Sequence, residues 1–409
     1  MNTRLTVVSA VLLLLMPFVL FAAGGTEDGL AEGQVGFTIW SQEGESEGTF
    51  GWVVELTERF MAENPDVAIE VVHKETEALR EDFQTASIAR QAPELLWTVN
   101  DHAGPFVVAG LVRPVSDLFD QDLFVDSVVM EGETWAVPIS SGNHLMLLYN
   151  RDLVSAPPTN SDELIAAARQ FTDGQLYGLV YNQIEPFWMV PWLAGFGGEV
   201  FAADGVTPNL DTEAMVDTLQ FLADLKFEHG VVPPESDYGT MDTLFKEGSA
   251  AFIVNGDWSL GDYRSVLGES LGIAPLPTIT ATGLDPAPYT SGKYLFVSDQ
   301  VTDEQLAAIR EFVAFVTSEA IQTELFQTFS RLPARLSVLN SEAVQSDPIL
   351  ADSARALAAG VPQPSVLEMR AVWDAMKPEF NAVLAGTTTP EAAAEAMQAS
   401  ALAGIEALR

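Results

Sequence analysis

Tryptophan recurs in this chain where an apolar run gives way to polar side chains: Trp40-Ser-Gln-Glu, Trp97-Thr-Val-Asn-Asp-His, Glu185-Pro-Phe-Trp188 and Asn255-Gly-Asp-Trp258. An indole or phenyl face is a flat apolar platform, and the neighbouring amides and carboxylates supply directed hydrogen bonds. Together they match a ring with C–H faces and a hydroxyl rim. A single tryptophan at a strand end is more often a packed core residue than a platform. Repetition of the pattern in one acidic chain shifts the reading toward a binding cleft. Trp373 and Lys377 stand four apart, so on a helix ring and ammonium share a face, although Pro378 directly after them kinks or ends such a helix.

Other chemistries find less support. Glu185 with Asp101 or Glu43 would serve acid–base hydrolysis of a glycoside, but Asp+Glu number 58 here, so finding a pair of carboxylates says little. His73, His102, His144 and His229 have no metal-ligand spacing, and the absence of cysteine removes thiol catalysis and Cys-ligated zinc. Gly195-Phe-Gly-Gly198 lacks the Lys-Ser/Thr of a phosphate loop. No metal and no cofactor is expected. A formal charge of -39 repels phosphate backbones and anionic lipid, which argues against a nucleic-acid partner. A cationic solute such as a polyamine stays open, because Glu43, Glu45, Asp101 and Glu185 with the aromatics would suit it.

The elements that must position these residues read as α/β. Arg4, the apolar run Leu5 to Phe21 and Ala22-Ala-Gly-Gly25 have the layout of a secretory signal. We expect cleavage near residue 24, a tail over 25–34 and, with no cysteine at the junction, an exported chain without a lipid anchor. Alternating residues 35–40 and 67–72 predict strands around a helix over 50–61, and strand–helix–strand order predicts a mainly parallel sheet. Asn160 with Glu163 and Thr302 with Gln305 mark helix starts. Pro275-Leu-Pro277 and Pro286-Ala-Pro288 read as a passage between two bodies, which a chain of 409 residues is long enough to form.

From end to end the sequence resembles the bacterial extracytoplasmic solute-binding proteins of the maltose-binding type that serve ABC sugar importers. The resemblance lies in the order of Ile39-Trp40, Leu95-Leu-Trp97 with Asn100-Asp101, Ala136-Val-Pro-Ile139, Leu148-Tyr-Asn-Arg-Asp-Leu153, Glu185-Pro-Phe187, the run 248–256 with Trp258, Leu276-Pro-Thr278 and Val372-Trp373. It implies a two-lobed α/β fold with a hinge of several chain crossings: 35–142 and 290–342 in an N-lobe, 143–289 and 343–409 in a C-lobe. It also implies a carbohydrate ligand, an ABC membrane permease as partner, a monomer, and no catalysis. Trp97 and Asp101 match family positions on the N-lobe rim, and Glu185, Trp258 and Trp373 match sugar contacts on the C-lobe. Gln42, Glu43, Asn100, His102, Asn143, His144, Phe187, Trp188, Tyr238 and Lys377 complete the candidate ligand set.

Four departures bear on the ligand. Gln42-Glu43-Gly44-Glu45 stands where maltose binders carry an Asp-Lys pair, leaving no lysine in that loop. His102 replaces an arginine, Asn143 or its neighbour a glutamate, and Phe187 a tyrosine. The loss of a cation and of an aromatic hydroxyl implies a hydroxyl pattern other than that of maltose. The alternatives are a non-sugar solute on the same scaffold or a secreted glycoside hydrolase.

Overall fold

Alternation of apolar residues sets the first sheet. In the computed structural model, which describes residues 33–408, β1 (Val35–Ser41) lies between β2 (Val67–His73) and β3 (Leu95–Thr98), parallel to both. Helices Thr49–Glu63 and Thr76–Ile88 make the connections. The expected signal segment 1–24 and nearly all of the tail lie outside the described residues. Among those described, no helix is long and apolar enough to cross a membrane.

Both faces of this sheet are buried. Leu95 and Trp97 point into one core with Phe37, Leu295 and Phe312, while Leu96 points into another with Phe83, Phe106 and Phe296. After the short β4 (Val112–Arg113), β5 (Val129–Met130) and β6 (Glu133–Thr134) form a hairpin whose turn residues Glu131 and Gly132 both have positive φ, at 53° and 81°.

The chain leaves the first sheet along β7 (Val137–Gly142) and builds a second one from β8 (Leu145–Asn150), β9 (Tyr177–Val180), β10 (Ala250–Gly256) and β11 (Leu271–Ala274). It returns through 275–288 to β12 (Tyr289–Ser298), and β13 (Leu332–Pro333) and β14 (Val361–Pro362) add short edges. Strand orders are β13-β7-β12-β3-β1-β2 and β11-β8-β10-β9.

The expectation of mainly parallel sheets needs correction. β12 runs antiparallel to β3, β7 and β4, and β8 antiparallel to both β10 and β11; among the described strands parallel pairing is confined to β1–β2, β1–β3, β9–β10 and the edge pair β12–β14. The cause is the route of the chain. An exit strand and a return strand that use the same end of a sheet must point in opposite directions, as β7 and β12 do.

At the crossing, Gly142 and Asn143 have φ of 141° and 48°, a left-handed step that Gly and Asn tolerate best. A third crossing, 363–367, passes so close to helix Ala103–Val108 that a Cβ on Gly104 would stand 2.5 Å from the backbone nitrogen of Leu367. That approach fixes the start of helix Glu368–Leu384, which carries Trp373 and runs on through Pro378. Gly104→Ala therefore destabilises the protein by about 1–3 kcal/mol through overpacking, although alanine is the better helix former. Urea unfolding measures it, and an unchanged or raised midpoint would refute the close approach.

Candidate functional site

A cleft of about 950 Å³ opens between the two sheet-bearing bodies. On one side it is lined by the loop after β1, the first turn of helix Thr76–Ile88, Asp101, Lys293 and Arg331; on the other by 184–188, the start of helix Tyr238–Lys246, Trp258, Trp373 and Lys377.

The first wall is charged and braced from behind. Glu43, 2% exposed, accepts a hydrogen bond from Trp97 Nε1 on one carboxylate oxygen (3.0 Å) and from Arg331 Nη1 on the other (2.7 Å). Burial pushes its carboxyl up, but Arg331, Lys293 and the two hydrogen bonds outweigh it and hold the pKa below the usual carboxylate range. Gln42 accepts from Thr98 Oγ1 at 2.5 Å. With its one proton given to Gln42, the Thr98 hydroxyl takes the Nδ1–H of His102 at 2.9 Å, leaving His102 Nε2 as a bare acceptor without a partner.

The second wall is aromatic. Phe187 sits between Trp258 (6.2 Å between ring centroids) and Trp373 (6.4 Å), and Trp188 packs edge-on to Trp258 while donating its indole N–H to the Val254 carbonyl. Trp258 and Trp373 are half-buried and present ring surface to the cleft. Lys377 extends from the same helix face as Trp373 to Glu185 at 2.6 Å.

The two walls touch directly. Trp258 Nε1 donates to the Tyr238 hydroxyl (2.9 Å), which donates to Glu47 across the cleft (2.6 Å). Trp373 Nε1 donates to Asp101 (3.1 Å), and Arg370 reaches Gln84 (3.0 Å). The cleft is acid-rich at this seam. Burial, joined by Asp101, Asp374 and Glu185 against the pull of Arg80, raises Glu77 to about 7. Burial likewise raises Asp101 in spite of its bond from Trp373.

Of the candidate residues, Gln42, Glu43, Asp101, Asn143, Glu185, Phe187, Trp188, Tyr238, Trp258, Trp373 and Lys377 line the cleft. Four do not. Trp97 is fully buried, edge-on to Trp52, because both faces of β3 are covered; it braces Glu43 and offers no platform. Trp40 likewise packs at the edge of a core, with Lys74 over its ring. Asn100 ties the turn to the crossing segment through Gln363 O and Ser365 Oγ. His102 lies beneath Gln42, and His144 is enclosed against the Ser353 carbonyl.

The lost cation and the lost phenol are both supplied from elsewhere. Lys293 and Arg331 bring positive charge beside Glu43, and Tyr238 brings a hydroxyl beside Trp258. Lys293, Arg331, Glu47 and Glu77 escaped the sequence reading. Only Lys293 left a local trace, as a charge opening the apolar strand Tyr-Leu-Phe-Val.

Burial, with Arg80 and Lys293 adding to it, pushes the His102 imidazole from 6.5 to about 3. The unfolded chain takes up this proton below 6.5 and the folded protein does not, so His102 removes stability as pH falls through that window, by about 3 kcal/mol at pH 4. His102→Asn should lose correspondingly less stability than wild type between pH 7 and pH 4, measured by urea unfolding; equal losses would contradict the buried neutral imidazole. Trp97→Ala should cost about 3–5 kcal/mol of stability as a core truncation, and a cost under about 1 kcal/mol would return the ring to the surface.

The model of the bacterial extracellular solute-binding proteins matches residues 55–352. A maltotriose-binding protein of Pyrococcus abyssi is 27% identical over 340 residues, 80% of this chain and 73% of its own. Among solved structures, a maltose/maltodextrin-binding domain from Bdellovibrio bacteriovorus bound to maltotriose is 36% identical, with a TM-score of 0.87 over 91% of this chain and 100% of that one. A Thermus thermophilus maltotriose-binding protein bound with maltotriose is 25% identical, with a TM-score of 0.83 over 90% and 100%. The family match spans most of the chain and the fold agrees over its length: the chain belongs to the bacterial extracellular solute-binding proteins.

Proposed function

We propose that the protein is the extracytoplasmic binding subunit of an ABC sugar importer and captures a neutral oligosaccharide, with maltotriose as the first candidate. The observation that carries this reading is the facing of two unlike walls: Phe187, Trp258 and Trp373 on one side, and the acceptors Glu47 and Asp101 on the other. A pyranose ring has C–H faces for the first wall and hydroxyl protons for the second. Body 35–142 with 290–342 closes on body 143–289 with 343–409 about the crossings near 142–144, 275–288 and 343–367. A cargo that contacts both walls binds the closed form better than the open one and so selects it.

The monomeric protein then presents its closed outline to a membrane permease, and no chemistry is done on the cargo. The surplus of carboxylates in the cleft supports one competing reading, a polyamine, which belongs in the same test.

Titration calorimetry with maltotriose, a galacto-oligosaccharide and spermidine separates these cases. Saccharide binding is expected, and at a hundredfold excess over the dissociation constant it stabilises the fold by about 2.7 kcal/mol. Binding of spermidine alone would replace the sugar with a cation. Trp258→Ala and Trp373→Ala should each weaken maltotriose binding at least tenfold while changing unfolding free energy by under about 1 kcal/mol. Lost stability with unchanged affinity would make those rings core residues.

A further inference from the structure

Lys293 is the odd member among the chain's lysines. Lys74 pairs with Asp82, Lys226 donates to the Leu384 carbonyl, Lys246 pairs with Asp242 and Asp262, and Lys377 pairs with Glu185. The Lys293 ammonium has no hydrogen-bond or ion-pair partner among the described residues, yet the residue is only 8% exposed and lines the cleft. Scarcity of acids is not the reason in a chain with 58 of them. Its neighbour Glu43 attracts it through space, but has one oxygen engaged by Trp97 and the other by Arg331 and takes no hydrogen bond from Lys293.

A break in strand register between Lys293 and Tyr294 re-aims the backbone at this point, and the Lys293 N–H goes to Ser140 Oγ instead of continuing a regular ladder. A largely buried ammonium that faces the cleft without an acceptor from the protein is poorly compensated in the protein alone. It becomes favourable when something in the cleft supplies acceptors.

We infer that Lys293 is a specificity-determining residue whose ammonium donates to the ring-hydroxyl oxygens of a neutral saccharide at the charged end of the cleft, an inference that rests on the sugar-binding reading above. An anionic sugar is disfavoured because Glu45, Glu47, Glu77 and Asp101 line the same side. A neutral hydroxyl suits both sets of groups: it accepts from Lys293 through oxygen and donates its proton to a carboxylate. Lysine thus replaces, from a strand some 250 residues away in sequence, the cation that the loop after β1 lacks.

Two variants test this, Lys293→Met, which keeps the stem and removes the donors, and Lys293→Arg, which keeps a cation. Maltotriose affinity is measured by calorimetry, and melting temperature without sugar on the same samples. Lys293→Met should weaken binding at least tenfold while its melting temperature stays level or rises, and Lys293→Arg should retain more affinity than the methionine variant. Wild-type affinity in a folded Lys293→Met protein would overturn the inference, as would a fall in melting temperature with affinity preserved, which marks a structural lysine. If Lys293→Met does not fold, affinity in Lys293→Arg no better than in Lys293→Gln overturns it. Wild-type protein that binds neither maltotriose nor the galacto-oligosaccharide would refute the sugar-binding reading itself, and this inference with it.

Discussion

Glu43 is ionised where water scarcely reaches, and the floor of the cleft depends on how that charge is held. Its two oxygens draw together the loop after β1, the end of β3 through Trp97 and the approach to β13 through Arg331, with Lys293 of β12 alongside. Taking one member of a buried ion pair away generally costs about 3–5 kcal/mol, because the other is left uncompensated. Such a cluster is therefore rigid by necessity. Gln42, Glu47 and Lys293 line the cleft on the same wall and are the polar groups a cargo would meet there.

The aromatic wall is rigid for a different reason. Phe187, Trp188, Trp258 and Trp373 lie against one another at centroid distances of 5.8–6.4 Å, and Trp188 is anchored by its indole N–H on strand β10. Edge-on and tilted aromatic packing holds ring orientation without filling the face turned to the cleft. The crossing between the two bodies turns through Gly142 and Asn143, both with positive φ. In the proposed mechanism, stiff walls joined by narrow crossings let the free energy of cargo contact go into moving one body against the other, with little spent on reordering side chains.

Local chemistry made much of the fold legible. Asn160 accepts from the Glu163 N–H as a helix cap, and Thr302 with Gln305 forms the full reciprocal box, because such caps depend on residues only three apart. Strand direction was not legible. Whether β12 runs with or against β3 is decided by where the chain re-enters the sheet, which alternation cannot report. In the site, Glu185-Pro-Phe187 and Trp258, which stand beside turns in the sequence, line the cleft. Trp97 was misjudged because a polar flank marks the end of a strand equally well whether its faces are open or covered. Arg331 was missed because its partner Glu43 lies 288 residues away, and Lys293 because the charge it flanks, the same Glu43, lies 250 residues away, beyond any spacing rule.

Capture between two moving walls is tested most directly by small-angle X-ray scattering of the protein before and after saturation with maltotriose, with occupancy confirmed on the same sample. The radius of gyration should fall as the bodies close on the cargo. A saturated protein whose scattering profile is unchanged would show that the sugar binds without closure and would contradict the two-wall mechanism.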